Sequence, residues 1–149
     1  MAALFRQVHQ QLRDELHGLD DGALNWAPAP DTNSIATIVT HLVGSEAETL
    51  RCVAGVDDSR DRDAEFAGHS LTMREVVALL DEADNLLTEL EPHINRDRLD
   101  AAFPLMTLPA EETRSGLTWL VGNYGHAREH VGQVQLTKQL YKGQESTAS

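Results

Sequence analysis

Apolar residues recur every three or four positions in four separate segments of the chain, which is the spacing of one face of an α-helix. The first segment spans positions 4 to 19, with Gly18 as a left-handed stop near its end. The second spans positions 35 to about 53, with Asn33 or Ser34 as its N-cap and Gly55 just beyond its end. The apolar positions of these two predicted helices are Leu4, Phe5, Val8, Leu12, Leu16, Leu19, Ile35, Ile38, Val39, Leu42 and Leu50.

The third predicted helix begins at Thr72, which forms a capping-box pattern with Glu75, and it ends before Pro92. The fourth runs from near Leu117 to about Tyr141. The apolar faces of these two helices are formed by Val76, Val77, Leu80, Ala83, Leu87, Leu90, Leu117, Leu120, Val121, Tyr124, Val131 and Val134.

The connections between these helices are rich in charges and helix breakers. Positions 20–34 predict a turn and an extended stretch, and positions 93–115 predict irregular structure with a single helical turn near 110–113. Positions 56–65 are charged and aperiodic, which predicts a solvated crossover long enough to let the second and third helices run parallel. The sequence therefore predicts one all-α domain over residues 1–143, a four-helix bundle with a long crossover between helices 2 and 3, followed by a disordered tail at 144–149.

Three glycines lie inside the fourth predicted helix, at Gly122, Gly125 and Gly132. Each glycine costs about 1 kcal/mol relative to alanine in a helix interior. We therefore expect a neighbouring helix or a bulky site to approach closely at these positions.

The amino-acid composition limits the fold classes and the kinds of partner that are compatible with the chain. The chain has 149 residues, of which 41% are hydrophobic and 5% aromatic, so it can build one aliphatic core of the kind found in helical domains. Its formal charge of −12 argues against binding to nucleic acid or to anionic membranes. The sequence lacks the pattern of a signal peptide or of a membrane-spanning segment, and its single cysteine, Cys52, cannot form an internal disulfide. We therefore expect a cytoplasmic protein.

Three histidines are candidate ligands for one metal ion. His126 and His130 are four residues apart on the fourth predicted helix, so their side chains share a face with Trp119 and Gln133. His41 lies near the middle of the second predicted helix, at the edge of its apolar face. Metal sites in bundles are assembled from side chains that project inward from facing helices. Taken alone, the same histidines also fit a core in which they only hydrogen-bond to one another.

Two parts of the sequence resemble the DinB/YfiT-like superfamily of metalloproteins. They are residues 26–35 leading into Thr40-His41-Leu42, and residues 124–133 with the His126-Ala127-Arg128-Glu129-His130 pattern. The resemblance covers nearly the whole chain, and it implies a bundle with a long crossover. It implies that His41, His126 and His130 bind a divalent metal ion. The sequence leaves the identity of the metal open, and for imidazole ligands we expect zinc or nickel, with iron or manganese as alternatives. The resemblance also implies a thiol-dependent S-transferase or isomerase that uses a low-molecular-weight thiol and a small-molecule substrate.

Other residues are candidates for supporting roles. Three imidazole ligands leave positions open on an ion, where a bound water or thiol is activated. Glu48, two turns beyond His41, is a candidate general base or hydrogen-bond partner of the site. Cys52 has no evident neighbouring cation, so we predict a small buried side chain and not a nucleophile. The remaining assignments are Gln133 and Asn123 as partners of the ligands, Trp119 as a pocket residue, and His9, His17, His69 and His93 as structural or exposed residues.

Three classes of function stay open at this point. The first is a metal-dependent transferase or hydrolase that acts on a small molecule. The second is a metal-binding or stress-associated protein without turnover, and the third is a bundle without metal. An exposed apolar strip on so small a bundle also predicts a homodimer.

Overall fold

The computed structural model describes residues 1–57, 60–67 and 70–147. Its helices and strands are α1 (Ala2–Leu16), α2 (Asp21–Asn25), α3 (Ile35–Ala54), α4 (Arg62–Glu65), α5 (Met73–Leu90), a 3-10 turn (Glu91–His93), α6 (Arg96–Asp100), β1 (Ala102–Phe103), β2 (Arg114–Ser115) and α7 (Gly116–Thr147). The four longest helices, α1, α3, α5 and α7, are the four that the apolar pattern predicts. The all-α prediction is confirmed.

Local signals in the sequence define where these helices begin and end. The hydroxyl of Ser34 accepts a hydrogen bond from the backbone N–H three residues later, so Ser34 and not Asn33 caps α3. Thr72 and Glu75 form both halves of the predicted capping box at the start of α5. Gly18 and Gly55 adopt the left-handed conformation, with φ of 78° and 77°, just after α1 and α3.

Helices α3 and α5 run in the same direction. Asn25, which precedes α3, exchanges two hydrogen bonds with the main chain of Leu71, which precedes α5. At the other end of the bundle Arg98, which follows α5, donates to the carbonyls of Cys52 and Val53 at the end of α3, both at 2.7 Å. The predicted long crossover between the second and third long helices is therefore confirmed.

The core-facing side of α7 differs in part from the prediction. Leu120, Val131 and Val134 are buried as expected. Leu117 and Val121 are 47% and 53% exposed, so their assignment to the core is wrong. The buried arc of α7 is rotated towards the side that carries Trp119, Asn123 and Thr137, all of which are buried.

Two connections contain more regular structure than the sequence indicates. Asp20 caps the short helix α2 by accepting a hydrogen bond from the N–H of Ala23 at 2.8 Å, within a segment predicted to be a turn and an extended stretch. The segment 93–115 contains α6 and an antiparallel ribbon of β1 and β2, in which Ala102 pairs with Ser115. Helix α7 ends at Thr147, beyond its predicted end, and the domain boundary at 143 and the disordered tail stay predictions.

The expectation that crowding requires glycine at the three predicted positions inside α7 is wrong. An added methyl group would meet open space at Gly122, Gly125 and Gly132. Crowding occurs instead at Gly44 in α3, where an added Cβ would collide with the carboxylate of Glu65. Among the helices of the described chain, none is long and apolar enough to cross a membrane.

Candidate metal centre

The three predicted ligands come from two helices that pack against each other. His41 lies in the middle of α3, and His126 and His130 lie one turn apart on α7. Asn123, just before His126, donates to the hydroxyl of Ser45, one turn after His41, at 2.9 Å. This bond and the shared apolar core hold α3 against α7 on the side where the three imidazoles meet.

The imidazoles converge through their Nε2 atoms. Nε2 of His126 lies 3.2 Å from Nε2 of His41 and 3.0 Å from Nε2 of His130. Among the described residues these three side chains form a group that can hold a metal ion, with one ligand atom of each within 4.8 Å of the others. His41 is only 8% exposed, so the group lies at the edge of the core and not on an open surface.

The opposite ring nitrogens of two ligands are held by side-chain acceptors. Nδ1–H of His41 donates to Oε2 of Glu65 at 3.0 Å, and Nδ1–H of His130 donates to Oε1 of Gln133 at 2.8 Å. A neutral imidazole carries one proton, so a proton on Nδ1 leaves a lone pair on Nε2. Two such lone pairs face Nε2 of His126, which can carry at most one proton. This is a donor set that suits a divalent transition-metal ion.

The electrostatic environment keeps His41 and His126 neutral. Burial, together with the charges of His130, His41 and Arg60, lowers the pKa of His126 to about 4. Burial also lowers the pKa of His41, and the hydrogen bond to Glu65 opposes that effect in part. Neutral imidazole is the form that binds a metal, so both groups are in the ligating form at neutral pH.

The crossover segment supplies a buried ion network beside His41. Arg60 donates to Oε1 and Oε2 of Glu65, both at 2.7 Å, and to Oε2 of Glu48 at 2.7 Å. The side chains of Arg60, Glu48 and Glu65 are 7%, 1% and 9% exposed. Phe66 adds a ring contact to His41, with centroids 4.7 Å apart. The prediction of a solvated connection is therefore wrong for this part of the segment, because the side chains of Arg60 and Glu65 are buried beside His41.

Glu48 lies next to this network and not against the ligands. Its carboxylate accepts hydrogen bonds from Arg60 and from both the N–H and the hydroxyl of Thr107, the latter two at 2.8 Å. Within the described residues its hydrogen bonds do not reach the histidines, so it acts on His41 through Arg60. The hydrogen-bond partner of His41 is Glu65, which sequence reasoning missed. Gly44, three residues after His41, is the signal that could have revealed it, since its missing side chain makes room for that carboxylate.

The other residues predicted to support the site differ in whether they contact the three histidines. Gln133 contacts a ligand directly, whereas Asn123 contacts the facing helix. Trp119 is 6% exposed and lines a cavity of about 210 Å³ together with His126. Cys52 is partly buried and packs at the edge of the apolar core.

His9 forms a second buried polar cluster. Its Nδ1 lies 2.7 Å from Asp84 and its Nε2 lies 3.0 Å from Glu46, with His9 itself fully buried. Burial acts to lower the pKa of His9, but the two carboxylates outweigh it and the pKa is raised. His9 thus ties α1 to α3 and α5, which is the structural role predicted for it. His17 and His93 are exposed, and His69 lies outside the described residues.

Comparisons with known proteins agree with this architecture. The crystal structure of a conserved protein from Enterococcus faecalis is similar to this chain, with a TM-score of 0.76 and 15% sequence identity, and the alignment covers 95% of each chain. At that identity the likeness concerns the fold alone. A search among curated proteins gave no match. The family model of the DinB superfamily matches residues 4–134, which is most of the chain, and the protein therefore belongs to the DinB superfamily.

Proposed function

We propose that the protein binds one divalent metal ion through His41, His126 and His130 and works as a metal-dependent enzyme on a small molecule. The observation that carries this proposal is the convergence of three Nε2 atoms, with 3.0 and 3.2 Å between neighbours. An ion held by three neutral imidazoles supplies Lewis acidity at its open positions, where the pKa of a bound water or thiol falls.

Within that reaction the chain's own residues hold and orient the ligands. Glu65 and Gln133 fix the protons of His41 and His130 on Nδ1, which directs both Nε2 lone pairs at one point. Arg60 pairs with the carboxylates of both Glu48 and Glu65 and so offsets part of the negative charge beside His41. We assign Glu48 a positioning role through Arg60.

Thiol transfer is the reaction we propose first. The sequence resembles a superfamily in which low-molecular-weight thiols are used, and a thiol bound near the cluster would lose its proton to become a nucleophile. Hydrolysis by an activated water is the alternative, since it needs the same three ligands. A metal-binding protein without turnover is the remaining candidate.

The first test is the metal content of tag-free protein. We expect near-stoichiometric zinc or nickel in the wild type and its loss in the His126→Ala/His130→Ala variant. The matched control is His17→Ala/His93→Ala, which removes two exposed histidines and should keep the metal. Equal metal content in wild type and site variant, or metal in neither, would contradict the proposed site.

The second test separates the three functions. Metal-loaded protein is incubated with a small electrophile, with and without thiols such as cysteine or glutathione, and the thioether product is measured. Thiol-dependent product that disappears in His41→Ala supports the transferase, whereas thiol-independent loss of an ester substrate supports the hydrolase. Full metal content without either reaction supports the non-catalytic alternative.

We also propose a homodimer that covers an apolar face formed by Met1, Leu117 and Val121. Met1 and Leu117 are 44% and 47% exposed and line one apolar cavity of about 340 Å³. Val121 continues this face by one turn of α7. Sedimentation should show a dimer that Val121→Glu dissociates, while Leu136→Glu, an equally exposed position further along α7, does not. A wild-type monomer would contradict the dimer.

A further inference from the structure

The size and the lining of the cavity beside His126 indicate which class of ligand it can bind. It measures about 210 Å³, which is below the roughly 300–1,000 Å³ of pockets for drug-sized ligands. Its occupant is therefore a small molecule. The lining is formed by Ser45, Thr49, Leu105, Arg114, Trp119 and Asn123 next to His126.

Arg114 is the cation at the rim of this cavity. The β1–β2 ribbon presents it, and its guanidinium carbon lies 4.8 Å from the centroid of the Trp119 ring. Trp119 is itself fixed, because its Nε1–H donates to the carbonyl of Phe103 at 2.8 Å. A guanidinium stacked on an indole keeps its N–H edges available for a planar anion. The carboxylate of Glu112 lies 3.9 Å away, and both of these side chains are about half exposed, so this ion pair is weak.

The deeper wall adds hydrogen-bonding groups. Asn123 is 9% exposed and donates to Ser45, while its Oδ1 is buried without a hydrogen-bond partner among the described residues. Thr49 is 1% exposed and lies one turn along α3 from Ser45. Apolar surface comes from Leu105 and Trp119, which are 9% and 6% exposed. The cavity therefore combines one cation at its rim, polar groups on its wall and a metal-ligand candidate at its edge.

Charge favours a monoanion in this cavity. The chain carries a formal charge of −12, which repels anions at long range, so a local cation is needed to bind one. Arg114 is the cation among the residues that line the cavity. One guanidinium balances one carboxylate in charge and matches its two oxygens in geometry, whereas a phosphate dianion would need further cations.

We propose that the cavity beside His126 binds a small carboxylate-bearing substrate, whose carboxylate pairs with Arg114 and whose other end lies at the three-histidine cluster. This inference rests on the proposed function for the identity of the reacting end. The recognition of the carboxylate by Arg114 does not depend on the metal. Arg114 is accordingly a specificity-determining residue.

The test is a titration followed by NMR of the indole N–H signals. Trp119 reports on the cavity, and Trp26, which makes an edge-to-face contact with Tyr141 with centroids 5.6 Å apart, serves as the internal reference. The probes are butyrate, 1-butanol as its neutral analogue, and inorganic phosphate. Each probe is titrated into metal-free and zinc-saturated protein, so that a failure to bind zinc leaves the carboxylate result readable.

We expect butyrate to shift the Trp119 signal in both forms and to bind about tenfold more tightly than 1-butanol. Arg114→Gln should remove that difference, whereas Arg96→Gln, an arginine with 93% exposure on α6, should keep it. Glu112→Gln removes the competing carboxylate and should tighten butyrate binding about two- to fivefold.

Three outcomes would overturn the proposal. They are equal binding of butyrate and 1-butanol to the wild type, unchanged butyrate binding in Arg114→Gln, and phosphate binding as tight as that of butyrate. If Arg114→Gln does not fold, Glu112→Gln decides the matter, because unchanged or weaker butyrate binding in that variant contradicts a carboxylate at Arg114. Zinc binding without an effect of butyrate would refute the substrate class and leave the metal site standing.

Discussion

Glu65 offers the sharpest test of how the ligands are oriented. Its Oε2 accepts the Nδ1 proton of His41 at 3.0 Å, and both its oxygens accept hydrogen bonds from Arg60 at 2.7 Å. Glu65→Gln keeps a hydrogen-bond acceptor for His41 but removes the negative charge. Glu65→Ala removes both. The two variants therefore separate the effect of orientation from the effect of charge.

The expected magnitude follows from the burial of this carboxylate, whose side chain is 9% exposed. A buried hydrogen bond to a charged group contributes about 1.5–3 kcal/mol, and about 1.4 kcal/mol corresponds to a tenfold change in affinity. Removing the outer partner of a metal-binding histidine weakens metal affinity by about 10- to 100-fold in general. We therefore expect about tenfold weaker zinc binding in Glu65→Gln and about hundredfold weaker binding in Glu65→Ala.

The assay is competition between the protein and a chromogenic chelator for zinc at fixed pH. Glu15→Gln is the matched control, since Glu15 is also partly buried and paired, at 3.1 Å from Lys138, but lies on α1 away from the cluster. Far-UV circular dichroism checks that each variant is folded. Zinc affinity within twofold of wild type in both Glu65 variants, with native helicity, would refute the proposed role of this carboxylate.

Four further changes test the fold and the site. Gly122→Ala should raise the free energy of unfolding by about 0.5–1 kcal/mol in urea denaturation, because its methyl group meets open space; a loss of stability would contradict this. Gly44→Ala should displace Glu65 and lower zinc affinity as Glu65→Ala does, and wild-type affinity would show that the carboxylate can move without cost. Thr72→Ala should cost about 1 kcal/mol in the same denaturation experiment, since it removes the cap of α5, whereas no change would indicate that the box is dispensable. The pKa of His9 is raised in the folded protein, so its stabilising contribution is complete below its ordinary value of 6.5 and is lost as the pH rises through the raised pKa. The difference in unfolding free energy between wild type and His9→Gln should therefore shrink from pH 6.5 towards pH 9, and a constant difference would contradict the raised pKa.

The long helices and the histidine pair of the candidate site could be predicted because their signals are local. Apolar spacing and the caps at Ser34 and Thr72 depend on residues within one or two turns of each other. The histidine pair on α7 depends on the same i,i+4 geometry. The resemblance and the position of His41 at the edge of an apolar face indicate the third histidine, and its approach to the pair follows from the packing of α3 against α7.

The surroundings of the site could not be predicted because they depend on contacts between distant segments. Arg60 and Glu65 occur in a stretch whose charge is typical of a solvated loop, and their burial follows only from the path that brings α4 to His41. Arg114 lies in a region that looks irregular, and the ribbon that positions it pairs residues a dozen apart. Leu117 and Val121 fit the helical period of α7, but the buried arc of a helix is decided by its neighbours as well as by its own sequence.

In the proposed site, metal binding depends on the position of the crossover segment, because this segment carries Glu65, the hydrogen-bond partner of His41. His41, Glu65 and His126 lie on α3, α4 and α7, so the complete site exists only when these three elements are in contact. An ion that binds only this closed arrangement would add about 2.7 kcal/mol to the unfolding free energy at a free concentration one hundred times its Kd. Linkage is reciprocal. Contacts that keep α4 against α3 raise the affinity for the ion, and the bound ion favours this position of α4 by the same factor. No apolar residue of α4 is buried. The helix is attached to the bundle largely through the ion pairs of Glu65. In the proposed site, a bound ion and the charged crossover would therefore stabilise each other.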